Sequence, residues 1–202
     1  MIERGDTMDA RFLKQLAFIL EVDKEKNILR QTHLSGGGRR ENDAEHAWHM
    51  ALMLYLLREY IDEPFDLSKA MMMALIHDVV EIDAGDTYAY DTERLATQKE
   101  REAQAAERIF GLLPEDQRDE LRALFEEYET CESAEARAVR VMDNFQPLLL
   151  NDANGGGDWR AHGVVSEKVL KRQESSSRGS QKIWEFSKAL IERNVKEGKL
   201  QG

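Results

Sequence analysis

The run Ala74-Leu75-Ile76-His77-Asp78-Val79-Val80 sets an imidazole and a carboxylate side by side within an apolar segment. No other feature of the chain constrains the fold as much. A polar group buried without a partner is costly, and a buried charge more so. A fold that buries this run must therefore bring other polar side chains to it, or an ion. A divalent metal meets both needs, because it accepts a neutral imidazole and an anionic carboxylate together.

The setting of that run is helical. Ala, Leu, Glu, Lys, Arg and Met are abundant and there are 3 prolines, a composition that favours helix over sheet. Apolar spacing predicts helices over residues 8–22, 42–60, 66–80, 92–110, 114–129, 134–151, 164–173 and 180–195. In the first, Phe12, Leu16, Ile19 and Leu20 share a face. Asn42 and Glu45 read as a capping box for the second, which is apolar nearly all round and is expected to be central. Residues 71–76 of the third are expected to be buried. Residues 28–40, with Gly36, Gly37 and Gly38, are expected to form a flexible basic connection. Residues 83–87 read as a turn, and 152–163 as a glycine-rich loop carrying Trp159 and His162. No strand alternation is evident. The fold class expected is all-α, a single domain over 1–202 with its core at about 8–190.

Charge and cysteine content narrow the function. A net charge of −11 argues against general nucleic-acid binding and against an anionic membrane surface. Cys131 is the single cysteine, so there is no internal disulfide and no zinc ribbon. Residues 1–9 are polar and charged, unlike a signal peptide. The longest apolar run, 47–57 interrupted by His49, is too short to span a bilayer. A cytoplasmic protein is the expectation.

His46 falls in the first turn of the second predicted helix, His77 and Asp78 near the end of the third, and Asp143 within the apolar stretch 139–150. Three helices thus offer two nitrogens and two oxygens to one potential site. Taken singly, each has a blander reading: a satisfied core histidine, or an aspartate that caps or pairs. The joint pattern is less easily explained that way. His49 lies three residues after His46, not four, so the paired-histidine helix of a zincin is absent; it reads as core or as a neighbour of the site.

The order His46, then His77-Asp78, then Asp143 resembles the HD-domain metal-dependent phosphohydrolases. The longer runs Arg40-Glu41-Asn42-Asp43-Ala44-Glu45-His46 and His77-Asp78-Val79-Val80-Glu81-Ile82-Asp83-Ala84-Gly85-Asp86 are similar to the 5′-deoxynucleotidase subgroup. The resemblance implies an all-helical fold, one divalent metal (often cobalt or manganese), frequently a homodimer, and hydrolysis of a nucleoside 5′-monophosphate to orthophosphate. It implies His46, His77, Asp78 and Asp143 as metal ligands, Glu81 as acid/base carboxylate, Asp86 as the carboxylate that positions water, and Arg30 as the phosphate-binding arginine. In the deoxynucleotidases an aromatic residue follows that arginine and helps to reject a 2′-hydroxyl; Gln31 stands in its place here.

The residues themselves allow this chemistry. Four protein ligands leave a metal one or two positions for water, which becomes acidic there. On a continuous helix Glu81 shares a face with His77, within reach for a proton relay. Arg30, Arg39 and Arg40 are the basic residues nearest a candidate ligand, although Arg39 and Arg40 also read as surface partners of Glu41 and Asp43. The small-molecule partner is then a nucleotide. Two rivals stand beside this reading: a nucleotide pyrophosphohydrolase, and a non-catalytic, metal-stabilised helical interaction module.

Overall fold

The computed structural model describes residues 9–90 and 92–202. Ten α-helices are defined among them: α1 Ala10–Val22, α2 Asp43–Leu57, α3 Leu67–Ile76, α4 Glu81–Ala84, α5 Thr92–Phe110, α6 Glu115–Thr130, α7 Ala134–Ala153, α8 Gly157–Ala161, α9 Ser166–Gln173 and α10 Gln181–Lys196. The all-α expectation holds. Met8, the expected start of the first helix, lies outside the described residues. No helix among them is long and apolar enough to cross a membrane.

The helix ends follow from the sequence. The Asn42 side chain accepts from the Glu45 amide at 2.9 Å while the Glu45 carboxylate accepts from the Asn42 amide at 3.2 Å. This reciprocal cap fixes where α2 begins. Asp66 caps α3, and Ser133 and Ser180 cap α7 and α10. The main core is built where α2, α3 and α7 pack together, with Met50, Leu54, Met73, Val139 and Met142 fully buried. A second cluster around Ile109, Phe110, Val79 and Val80 joins α5 to the segment after α3.

Four expectations need correction. Residues 28–40 are not a loose connection but an antiparallel hairpin, β1 Leu29–His33 with β2 Arg40–Asn42. Gly37 and Gly38 supply the positive φ angles (73° and 88°) its turn requires. The third helix stops at Ile76, where the amides of Val79, Glu81, Ile82 and Asp83 bond three residues back instead of four; His77–Val80 form tight turns before α4. The 152–163 segment contains α8, and Trp159 is a core residue, 3% exposed. Finally, the apolar helices are one-sided. On α2, Trp48, Leu52, Tyr55 and Leu56 face outward, as do Met72 and Leu75 on α3 and Phe12, Ile19 and Leu20 on α1.

Candidate metal centre

His46 sits one turn into the capped start of α2, His77 at the end of α3, and Asp143 in the middle of α7. Pro147 has no N–H to offer the Asp143 carbonyl four residues earlier, so the otherwise continuous helix α7 lacks one backbone bond at the site. One ligand atom from each of His46, His77 and Asp143 lies within 4.8 Å of the others, and all three residues are buried. Three of the four expected ligands are thus brought together.

Their hydrogen bonds fix which nitrogen each imidazole offers. His77 Nδ1 lies 2.9 Å from the Ala74 carbonyl. A carbonyl only accepts, so Nδ1 carries the hydrogen and Nε2 is left to bind something else. That Nε2 is buried and makes no hydrogen bond. For His46 the chain is longer. The Gln146 amide nitrogen donates to Glu41 at 2.6 Å, so its oxygen turns to His46 Nδ1 at 3.1 Å and makes that nitrogen the donor. His46 Nε2 is therefore an acceptor, 3.4 Å from Asp143 Oδ1, another acceptor. Two lone pairs facing each other in a buried site call for a cation or a proton between them. Burial, aided by Arg30, pushes His46 down to about 4, so the proton is not on His46. Burial would lower His77 too, but the charge and contact of Asp78, with Asp143 and the Ala74 carbonyl, together outweigh it and lift His77 to about 9. The donor set, two imidazole nitrogens and carboxylate oxygens, suits a divalent transition metal.

Asp78, the fourth expected ligand, stands in an adjoining group with Asp43 and Glu81, again within 4.8 Å of one another. It links the two groups: Oδ2 is 3.1 Å from His77 Nε2 and 2.7 Å from Arg30 Nη1. Despite burial, His77 and Arg30 hold its carboxyl below the ordinary range. Arg30 also meets Asp43 at 3.3 Å and Glu41 at 4.0 Å. Asp43 and Glu41 are buried, which overturns the reading of both as surface partners of Arg39 and Arg40. Arg39 instead pairs with Glu45. Glu81 is buried too, with Oε2 unpartnered. Burial and the charges of Asp78 and Asp43 hold its pKa well above the usual range.

A family model described as HD domain matches residues 22–184. The chain belongs to the HD domain family. The 5′-deoxynucleotidase HDDC2 of Bos taurus is 35% identical over 149 residues, 74% of this chain and 69% of that protein. The human 5′-deoxynucleotidase HDDC2 is 36% identical over 111 residues, 55% of this chain and 53% of the relative, so this chain spans about half of its length. Among solved structures, a predicted metal-dependent phosphohydrolase from Magnetospirillum magnetotacticum MS-1 is 47% identical, with a TM-score of 0.92 over 96% of this chain and 97% of that one. A conserved hypothetical protein from Pyrococcus furiosus, at 24% identity and a TM-score of 0.62, shares the fold.

In this HD domain the two groups open into a cleft of about 160 Å³, lined by Arg30, Gln31, Asp78, Glu81, Asp86 and Asp143 among others. The candidate residues named from the sequence, His46 excepted, therefore reach one cavity; His46 lies behind it, 3.4 Å from Asp143. Sequence reasoning missed several further residues. Asp43 was masked by its polar surroundings. Tyr88 and Tyr90 pack edge to face at 5.2 Å on the cleft wall, and His162 lies against Tyr88 at 4.7 Å. His33 and Asp158 pair at 2.6 Å and tie β1 to α8. Only the aromatic spacing of Tyr88 and Tyr90, just after the Gly85-Asp86 turn, could have been read in advance.

Proposed function

We propose that this chain is a metal-dependent phosphohydrolase that releases orthophosphate from nucleoside 5′-monophosphates, deoxynucleotides included. The observation that carries the reading is the convergence of His77 Nε2, which makes no hydrogen bond although Asp78 Oδ2 is 3.1 Å away, with the acceptor pair His46 Nε2 and Asp143 Oδ1. Those three residues and Asp78 would hold the ion, cobalt or manganese being the favoured candidates. When bound, it would polarise a phosphoryl oxygen and acidify a water molecule. The relatives named 5′-deoxynucleotidase support the substrate class, and the Magnetospirillum structure supports the reaction class.

The chain's own groups divide the remaining work. Glu81 is a buried carboxyl at the cleft, its pKa held well above the usual carboxylate range by burial and the charges of Asp78 and Asp43, and so serves as proton donor to the leaving 5′-oxygen. Asp86, on the cleft wall beyond Gly85, orients the attacking water. Arg30 presents its guanidinium to the phosphate end of the cleft while holding Asp78 in place. Tyr88 and Tyr90 form the apolar wall on which a base can lie. Gln31 offers an amide where the deoxynucleotidases carry an aromatic ring, so discrimination against a 2′-hydroxyl is expected to be weaker than theirs.

We also infer a homodimer. The stripe Trp48, Leu52, Tyr55 and Leu56, with Met72 and Leu75 beside it on α3, leaves large apolar side chains on the surface of two core helices, which is the character of a subunit contact.

The test is a nucleotide panel offered to metal-loaded protein. Orthophosphate from monophosphates is expected, with Glu81→Ala inactive at unchanged metal content. Pyrophosphate from triphosphates would favour the pyrophosphohydrolase instead. Absence of turnover on every nucleotide would leave the interaction module.

A further inference from the structure

The two sides of the cleft differ in charge balance. On one side Arg30 is outnumbered: Asp78, Asp43 and Glu41 lie within 4.0 Å of it, and Glu81 and Asp86 add their charges. A guanidinium shared with that many carboxylates neutralises only part of a phosphate dianion, so Arg30 needs further cations beside it. On the other side two guanidinium groups face one buried carboxylate, with Glu129 farther off along the cleft lining. Asp143 Oδ2 receives the Tyr128 hydroxyl at 3.0 Å, Arg140 at 3.3 Å and Arg172 at 3.2 Å. Two guanidinium groups thus share one carboxylate oxygen.

Both arginine contacts are long for charge-assisted bonds, which fall at about 2.7–2.9 Å. Each uses one of the five N–H donors that a guanidinium carries, and no second carboxylate partner is seen for either arginine among the described residues. Arg140 lies over the Tyr128 ring, its guanidinium carbon 4.1 Å from the centroid. Arg172 reaches across from α9 and remains 39% exposed. Both line the cleft, and both adjoin a ligand of the candidate ion. Preformed, under-used donors beside the reacting centre are what a phosphate site requires.

We propose that Arg140 and Arg172 clamp the phosphate, taking its non-bridging oxygens before hydrolysis and the orthophosphate product after it. The proposal deepens the phosphohydrolase reading and rests on it. The test is calorimetric binding of inorganic phosphate to metal-loaded and to chelator-stripped protein, for the wild type, Arg172→Ala, Arg172→Lys and Arg140→Gln. Metal content is measured in parallel, and KM and kcat are measured on a nucleoside monophosphate. Arg172→Ala and Arg140→Gln should each weaken phosphate binding at least about tenfold and raise KM more than they lower kcat, with metal content unchanged. Arg172→Lys should recover part of the loss. Wild-type phosphate affinity in both neutralised variants would overturn the clamp, as would a loss that merely follows lost metal. A wild type that binds phosphate through these arginines yet hydrolyses no nucleotide would leave the clamp standing and sink the phosphohydrolase reading.

Discussion

Glu81 separates catalysis from metal binding more cleanly than any other side chain. It belongs to the carboxylate group with Asp43 and Asp78, next to His46, His77 and Asp143, and its proposed task is proton transfer. Glu81→Gln keeps its volume and removes its proton, so kcat should fall by about 10² or more while metal content, measured by mass spectrometry, is unchanged. Glu25 gives a second prediction at this scale. It is buried on the turn Asp23–Asn27, and burial, with the charges of Asp78 and Asp43 adding, pushes it up to about 8 from 4.5. The native state therefore keeps a proton that the unfolded chain releases. The stability tied to Glu25 is full below pH 4.5 and is lost as pH rises through about 8. In metal-free protein Glu25→Gln should raise Tm by roughly 5 °C at pH 9, with no difference near pH 4.5; equal Tm values at both pH values would contradict the assignment. The residues read in advance were those whose polarity conflicted with apolar surroundings: His46, His77 and Asp143. Asp43, Arg140 and Arg172 escaped because a charge on an amphipathic helix or in a polar run looks solvated until the tertiary contacts are known.

At the scale of elements, the capping box of α2 carries more than local stability. It fixes the turn that bears both Asp43 and His46. Asn42→Ala should cost about 1 kcal/mol in urea unfolding and should also weaken metal affinity; a stability loss with unchanged affinity would confine the cap to folding. Most helix positions were legible because caps and apolar spacing agree, as at Asn42, Ser133 and Pro114. The hairpin was not: β1 has 5 residues and β2 has 3, too few for alternation to show, and its glycines look the same in a turn as in a mobile linker. The end of α3 was hidden because no glycine or proline separates Ile76 from Ala84. That break has functional weight. It turns Asp78 toward Arg30 and Asp43 while His77 faces His46 and Asp143, so the two adjacent residues serve neighbouring groups.

For the whole molecule, the outward apolar stripe of α2 and α3 sets the question of assembly. Periodicity announced apolar helices but not which of their faces the fold would leave uncovered. Trp48, 64% exposed, and Leu56, 59% exposed, project from the stripe. The double variant Trp48→Glu, Leu56→Glu should convert a dimer to a monomer in light scattering, with helical content retained, since neither side chain supports the core. A wild type of one-chain mass at every concentration would refute the dimer.

The central claim is that His46, His77 and Asp143 meet on one ion. It is tested most directly by titrating cobalt into chelator-stripped protein, followed by calorimetry and by visible absorption of the bound metal. One tight site per chain is expected, with nitrogen-ligand spectral character, and it should be lost in His46→Ala, His77→Ala and Asp143→Ala while circular dichroism remains helical. Absence of binding in the wild type, or binding that persists unchanged in all three variants, would contradict the account.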